Sequence, residues 1–317
     1  MTVGRGVSAR QQTEVVVGID IGGTGTRFVA WSTAGGVVGR RTVATPMNVD
    51  RDTPAGFLRR QIDAVVEGRP ITAVGIGASG PIDLQGVIRN PDTLPAFTGV
   101  PILAELASEL RVPVSIENDA VCAAIAELRI GAGRGADDLL HITLGTGIGV
   151  AYLVQGVPVR GRDGAHPEAG HIAVSTATPD CYCGRPACWE QAASRLALQK
   201  SAASLLGLRA DDRTAIDSLV ARADAGDGAA RAAFASYGAA LAEGLATLLA
   251  VHRVGTVVLG GGASTHFHRF EPTVSAELAK LGGWISTPRL LPTQLDDDGG
   301  AIGAALMAFS SKLSRSP

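Results

Sequence analysis

The segment "HPEAGHIAVSTATPDCYCGRPACWE", residues 166–190, gathers three of the chain's four cysteines and two of its six histidines, with Glu168 before the cysteines and Glu190 closing the run. Cys181, Cys183 and Cys188 follow a C-x-C-x4-C spacing, with His171 ten positions ahead of the first. Three thiolates and one imidazole make a closed tetrahedral Cys3His set, the donor set of a structural zinc ion. The competing readings are free thiols or a redox pair. Two other stretches, "DIGGTGTR" and "LGTGIG", supply Gly22, Gly23, Gly25, Gly145, Gly147 and Gly149, with Thr24 and Thr146 as added hydroxyls. Backbone N–H groups in such turns hold phosphate oxygens because no side chain blocks the approach, although glycine turns also serve only to close hairpins. Asp20, just before the first turn, suits Mg²⁺ held against phosphates, or bonds its own turn. A third run, Gly260, Gly261 and Gly262, leaves room for a nucleoside against backbone. The "GxGxxG" dinucleotide pattern is not met after the first strand, and no "GxxxxGK[ST]" occurs, so the dinucleotide-oxidoreductase and P-loop readings lose support.

These residues need elements to hold them. "VVVGIDIGG" is a short apolar run ending in glycines, a buried strand feeding a tight turn. "RFVAWST" and "VVGRRTVAT" read as the next two strands, and "TPAGFLRRQIDAVVEG" as a helix with Phe57, Leu58, Ile62, Val65 and Val66 on one face and Gly68 as its stop. "ITAVGIGASGPID" and "VPVSIEND" are strands, and "VPILAELASELR" and "AVCAAIAELRIGAG" helices, Cys122 lying in the core of the last. The alternation gives an α/β architecture. "LLHITLGTGIGVAYLV" echoes "VVVGIDIGGTGTRFVA", so the chain reads as two similar halves, each opening on a glycine-turned hairpin. Residues from about 192 to 250 are helical, "VGTVVLGGGAS" is a further strand, and Asp296, Asp297 and Asp298 cap a closing helix.

The bulk numbers set outer bounds. A chain of 317 residues with 46% hydrophobic content can bury a sizeable core over about two domains. A net charge of -2 with scattered signs lacks the basic footprint of a nucleic-acid binder. No apolar run is expected to approach the roughly 20 residues that span a bilayer. The first 14 residues are polar and lack the apolar core of a secretory signal, and the clustered cysteines do not form the disulfide framework of a secreted domain. The expected location is the cytoplasm.

Taken together, "GIDIGGTGTR", "GIGASGPID", "NPDTLPAFTGVPI", "IENDA", "HITLGTGIG", "HPEAGHI", "CYCGRPACWE", "VVLGGGAS" and "GAIGAALMA" resemble, in order and over nearly the whole chain, the ROK family of bacterial sugar kinases and repressors. The resemblance implies an actin-like, ribonuclease-H-like fold of two α/β domains around a cleft. Its parts would be a tail at 1–14, a small N-terminal domain at 15–117 joined by the returning C-terminal helix at 298–317, and a larger domain at 118–297 carrying the zinc loop. It implies phosphorylation of a hexose or hexosamine by Mg·ATP and a homodimer or homotetramer, while the charge balance and the hydropathy lead to the expectation of no nucleic acid and no membrane as partner. ATP would lie against Asp20, Gly22, Gly23, Thr24, Thr26, Arg27, Gly145, Thr146, Gly147 and Gly260 to Gly262. Sugar would meet Ser79, Gly80, Asn118, Asp119, Glu168, His171 and Glu190.

A sugar hydroxyl has a high pKa and attacks phosphorus poorly, so a kinase needs a carboxylate to take its proton. Asp119, at a strand end and helix start, matches the family's catalytic Asp; the alternative is a plain helix cap. Glu117 is the runner-up, turned away by strand alternation. His171 would bind zinc through one ring nitrogen and a sugar hydroxyl through the other. Four positions depart from the family pattern: Ser79 stands where Pro is common, Val121 where Asn is, and Val150 and Ala187 where Gly is. The "CWEQAAS" run and the "NPDTLPAFTGVPI" loop look most like glucokinase-type members, which makes glucose the expected substrate. Fructose, N-acetylmannosamine, an amino sugar or a cyclitol remain as alternatives, as does polyphosphate as donor. Repressors of the family carry a helix-turn-helix before the first strand, and 14 residues are too few for one; a catalytically silent sugar sensor is the third class.

Overall fold

A computed structural model describes residues 14–48, 53–175, 180–283 and 286–313, and the side chains up to residue 310. The N-terminal tail, apart from Glu14, lies outside the described residues. The chain divides into two compact units, Met1–Asp119 with Ala304–Pro317, and Ala120–Gly303. The divisions fall two residues after the expected 117/118 boundary and six after the expected 297/298 one.

The first unit is built on a five-stranded sheet. Its strands are β1 (Val15–Ile21), β2 (Gly25–Ser32), β3 (Val37–Ala44), β4 (Ile71–Ala78) and β5 (Val114–Asn118), in the order β3-β2-β1-β4-β5. The first three run antiparallel to their neighbours, whereas β1, β4 and β5 are parallel. Central parallel strands are covered on both faces, which is why β1 is nearly all apolar and buried while the edge strand β3 carries Arg40, Arg41 and Thr42 and is mostly exposed. Helix α1 (Pro54–Val66) starts at Thr53, whose hydroxyl accepts from the Gly56 N–H, and buries Leu58, Ile62, Val65 and Val66. It ends with Glu67 already left-handed, one residue before the predicted stop at Gly68. Helix α2 (Ile102–Leu110) buries Ile102 and Leu106.

The second unit repeats that layout. Between α3 (Asp119–Ile130), which begins on the last residue of the first unit, and the later helices lie β6 (Asp138–Leu144), β7 (Ile148–Val154) and the two-residue β8 (Val157–Pro158). Beyond α4 (Glu190–Ala193), α5 (Arg195–Leu206), α6 (Ala215–Asp224) and α7 (Gly228–His252) come β9 (Thr256–Gly260), α8 (Phe267–Ala279) and β10 (Arg289–Pro292). The sheet order is β10-β9-β6-β7-β8, strand for strand the pattern of the first sheet read from the other edge. The two glycine-turned hairpins thus open the two sheets, as their echo in sequence predicts.

By length and composition, α7 is able to cross a membrane, which differs from the expectation that no apolar stretch comes near that length. Alanines and leucines carry its hydropathy, and Arg231 and Glu243 are its only Lys, Arg, Asp or Glu. Phe234, Tyr237, Leu241, Leu245 and Leu249 of α7 are buried in the core of the second unit, so it is the central helix of that unit. The aspartates Asp296–Asp298 form a 3-10 turn directly before the last helix, α9 (Gly299–Leu313). Its later residues Ala305 and Ala308 pack with Val16 and Ala73 of the first sheet. That contact is close enough that a Cβ at Gly75 would collide with the Ala304 carbonyl.

Glu127 on α3 is almost fully buried and accepts from the Thr293 hydroxyl and from the backbone N–H groups of Ala132, Gln294 and Leu295. It fastens the end of β10 to α3. Burial holds the nearby His141 imidazole at about 4, against the opposing pull of the Glu127 charge. The folded pKa is thus below the unfolded value of 6.5, so between those values the unfolded chain binds more protons and stability falls as pH falls. Denaturant titrations at pH 7 and pH 4.5 are expected to show the wild type losing about 2 kcal/mol more than His141→Gln over that interval. Equal losses in the two proteins would refute the assignment.

Candidate functional site

In the first unit the parallel register places Ala78 of β4 opposite Asn118 of β5. The chain therefore leaves the two strands side by side, at Ser79 and Asp119, and the Ser79 hydroxyl donates to Asp119 Oδ2 at 2.6 Å. The Ser79 N–H donates to the Ile21 carbonyl at the end of β1. Carboxyl ends of parallel strands are where α/β folds place their ligands. Asn118 is buried, and its N–H is taken by the Glu117 carboxylate at 2.8 Å. Glu117 is itself buried and bonds its own strand's backbone, which is a structural task. Gly80 has φ of +86°, and a Cβ there would strike the Asn90 side chain. Asn90 in turn donates from Nδ2 to the Ser79 carbonyl at 3.0 Å.

The first glycine turn sits at the end of β1. Asp20 faces Arg27 across the β1–β2 pair. The Gly22 N–H closes on the Gly25 carbonyl at 3.1 Å, and Thr24 is exposed at the tip. Thr26 is fully buried and its hydroxyl lies 2.9 Å from that of Thr45, which donates to the Gly22 carbonyl at 2.6 Å. Thr26 thus braces the turn from beneath. At Gly23 a Cβ would come within 2.6 Å of the Thr93 methyl group, so the loop after Asn90 presses on this turn too.

The second unit holds the other candidates. Gly145 closes on the Gly147 carbonyl at 3.0 Å with Thr146 exposed at the tip, matching Thr24. The buried Glu190 carboxylate accepts from the Ile148 N–H at 3.0 Å and lies where a Cβ at Gly147 would be. Gly260, Gly261 and Gly262 end β9 beside the same turn. A Cβ at Gly261 would lie 2.7 Å from the Leu144 backbone, and one at Gly262 would lie 2.7 Å from Arg195 Cδ. Arg195 also donates its N–H to the Gly145 carbonyl at 2.9 Å. Two glycine runs and a guanidinium stem therefore meet there, an arrangement suited to polyanionic oxygens.

His171 ends a 3-10 turn, Ala169–His171, whose Gly170 packs on the Ile148 carbonyl. The ligand atoms of His171, Cys181, Cys183 and Cys188 all lie within 4.8 Å of one another. His171 Nδ1 is 3.5 Å from Cys181 Sγ, and the Cys183 and Cys188 sulfurs are 3.6 Å apart. Sulfurs around a tetrahedral zinc ion are about 3.8 Å apart, so the four residues fit the metal. Burial pushes the Cys188 thiol up to about 12, so its proton must leave as a cation binds. Ala187 is left-handed, with φ of +56°, a conformation that gives glycine the advantage. Glu168 is half exposed, 3.5 Å from His166 Nε2. The loop is anchored by Trp189, fully buried, whose indole N–H donates to the Ala240 carbonyl at 3.0 Å, and by the Ser175 N–H, which donates to Glu243.

Ser79, Gly80, Asn118 and Asp119 thus share the first unit with the first glycine turn. Glu168, His171, Glu190 and the cysteines share the second with Gly145–Gly147 and Gly260–Gly262. Sequence reasoning passed over Asn90, Tyr182 and Arg195, and read His166 as a structural or surface residue. Asn90 opens a quoted motif and was legible as a loop residue. Nothing in "QAASRLALQ" marks Arg195.

The ROK family profile matches residues 16–310. A glucokinase of Thermotoga maritima is 30% identical over 92% of this chain and 96% of that one. A ROK hexokinase from Thermus thermophilus superposes with a TM-score of 0.80 at 30% identity, covering 95% of this chain and 99% of that one. A ROK family glucokinase from Streptomyces griseus, in complex with glucose and AMPPNP, gives a TM-score of 0.77 at 31% identity over 93% and 99% of the two chains.

Proposed function

The chain belongs to the ROK family, and from that premise we propose that it is an ATP-dependent hexose kinase that converts glucose to glucose 6-phosphate. The observation that carries the reading is the Ser79–Asp119 hydrogen bond, which fixes a carboxylate at the carboxyl ends of β4 and β5. Ser79 holds Oδ2 of Asp119, so the carboxylate keeps one orientation while it receives a proton. In the reaction the 6-hydroxyl of glucose gives its proton to Asp119 as its oxygen bonds the γ-phosphorus. The bond from that phosphorus to the bridging oxygen breaks, and ADP leaves with the electron pair. Transfer of this kind gains chiefly from positioning and from neutralised charge. The tips of both glycine turns, with Thr24, Thr146 and Arg195, would meet the phosphates, and Asp20 would hold Mg²⁺.

Asn118, Glu168, His171 and Glu190 would hold the other sugar hydroxyls; carboxylates accept from a ligand rich in O–H donors. Zinc on His171, Cys181, Cys183 and Cys188 would supply rigidity and no chemistry. The support is the donor geometry together with the names of the relatives. With Mg·ATP and a panel of glucose, mannose, fructose, N-acetylmannosamine and glucosamine, ADP release is expected to be fastest per KM with glucose. No sugar-dependent ADP release with any member would sink the reading.

A further inference from the structure

Tyr182 stands between the first two cysteines and is 78% exposed. Its ring meets His171 edge-on, with centroids 5.4 Å apart at 83°. Its hydroxyl lies 3.3 Å from His171 Nε2, while Nδ1 of the same ring faces the cysteine cluster. With zinc on Nδ1, the ring proton sits on Nε2 and points at the phenol oxygen. The Glu190 and Glu168 carboxylates lie in the surroundings of this hydroxyl. The phenol oxygen thus accepts from the imidazole close to two carboxylates. A sugar hydroxyl held by His171 and Glu190 would take the same place.

We propose that Tyr182 is an internal stand-in for a sugar hydroxyl, filling the position at His171 Nε2 in the free protein and swinging out when sugar enters. The proposal rests on the assignment of His171 and Glu190 to the sugar. The exposed ring has solvent to move into. While Tyr182 is in place, His171 stays hydrogen-bonded and oriented, and apparent sugar affinity is lowered by the fraction of molecules that must first release it. A ligand without a hydroxyl at that corner gains nothing by the exchange, because it leaves the imidazole N–H unpaired. Tyr182 therefore acts as a specificity-determining residue.

The test is glucose affinity by calorimetry without nucleotide, on wild type and Tyr182→Phe with equal zinc content. Phenylalanine keeps the ring and removes the competing hydroxyl. Glucose is expected to bind the variant about fivefold more tightly, the size of one ordinary hydrogen bond. Among 1-, 2- and 3-deoxyglucose, the gain is expected to vanish for the one lacking the displacing hydroxyl. Unchanged or weaker glucose binding, or a uniform gain across all the analogues, overturns the proposal while the kinase reading stands. A wild type that binds no glucose overturns both.

Discussion

Asp119→Asn is expected to lower kcat by about a thousandfold, within the range that a positioned base contributes, while glucose affinity changes less than about threefold. The asymmetry follows from what the substitution keeps. The asparagine oxygen still accepts from the Ser79 hydroxyl, which lies 2.6 Å from the carboxylate it replaces, so the side chain keeps its place. The amide has no basic oxygen to take the proton from the attacking hydroxyl. Loss confined to kcat marks an interaction that strengthens only in the transition state. Steady-state ADP release and calorimetric glucose binding, measured on the same preparation, separate the two effects. A variant that turns over at more than a tenth of the wild-type rate would remove Asp119 from the role of base.

The second large effect is expected from Cys183→Ser. Cys183 is exposed, so the change opens no core cavity, and what is lost is one zinc ligand. Among its described residues, the loop from Glu168 to Glu190 has a 3-10 turn and one isolated bridge between Ala173 and Cys188 as its regular structure. Ordering such backbone costs about 1–2 kcal/mol per residue, which a bound metal repays before sugar arrives. Zinc content should fall, Tm should drop by about 10 °C for a loss of several kcal/mol, and glucose should bind at least about tenfold more weakly. A zinc-free variant that stays folded and binds glucose as the wild type does would show that the metal does not prepare the sugar site.

The strands were legible because β1, β6 and β9 are apolar runs that stop at glycine and β4 is one that runs into the Ser79–Gly80 turn. The edge strand β10 was not: "RLLP" is four residues long, ends in proline and is half exposed. Helix α8 carries Pro272 inside it, which breaks the pattern that announces a helix. At the site, each side chain was legible as a type, but the partnerships were not. Ser79 and Asp119 are 40 residues apart, and only the register of β4 against β5 brings them together. Glu117 illustrates the opposite case, a carboxylate that strand alternation turned away from Asn118 and that proves to be buried on its own backbone. Tyr182 carried no motif signal, since its meaning depends on which nitrogen of His171 it meets.

Glu190 has one consequence for how the two substrates bind. Its carboxylate already holds the Ile148 N–H of the second glycine turn and touches Gly147, and in the proposed function it also receives a sugar hydroxyl. One charge then answers to two ligands. Sugar that draws the carboxylate alters the turn on which nucleotide rests, and nucleotide that tightens the turn alters the acceptor offered to sugar. Linkage makes the two influences equal in size. The affinity of either substrate is therefore a property of the occupied pair, and neither constant describes the enzyme alone.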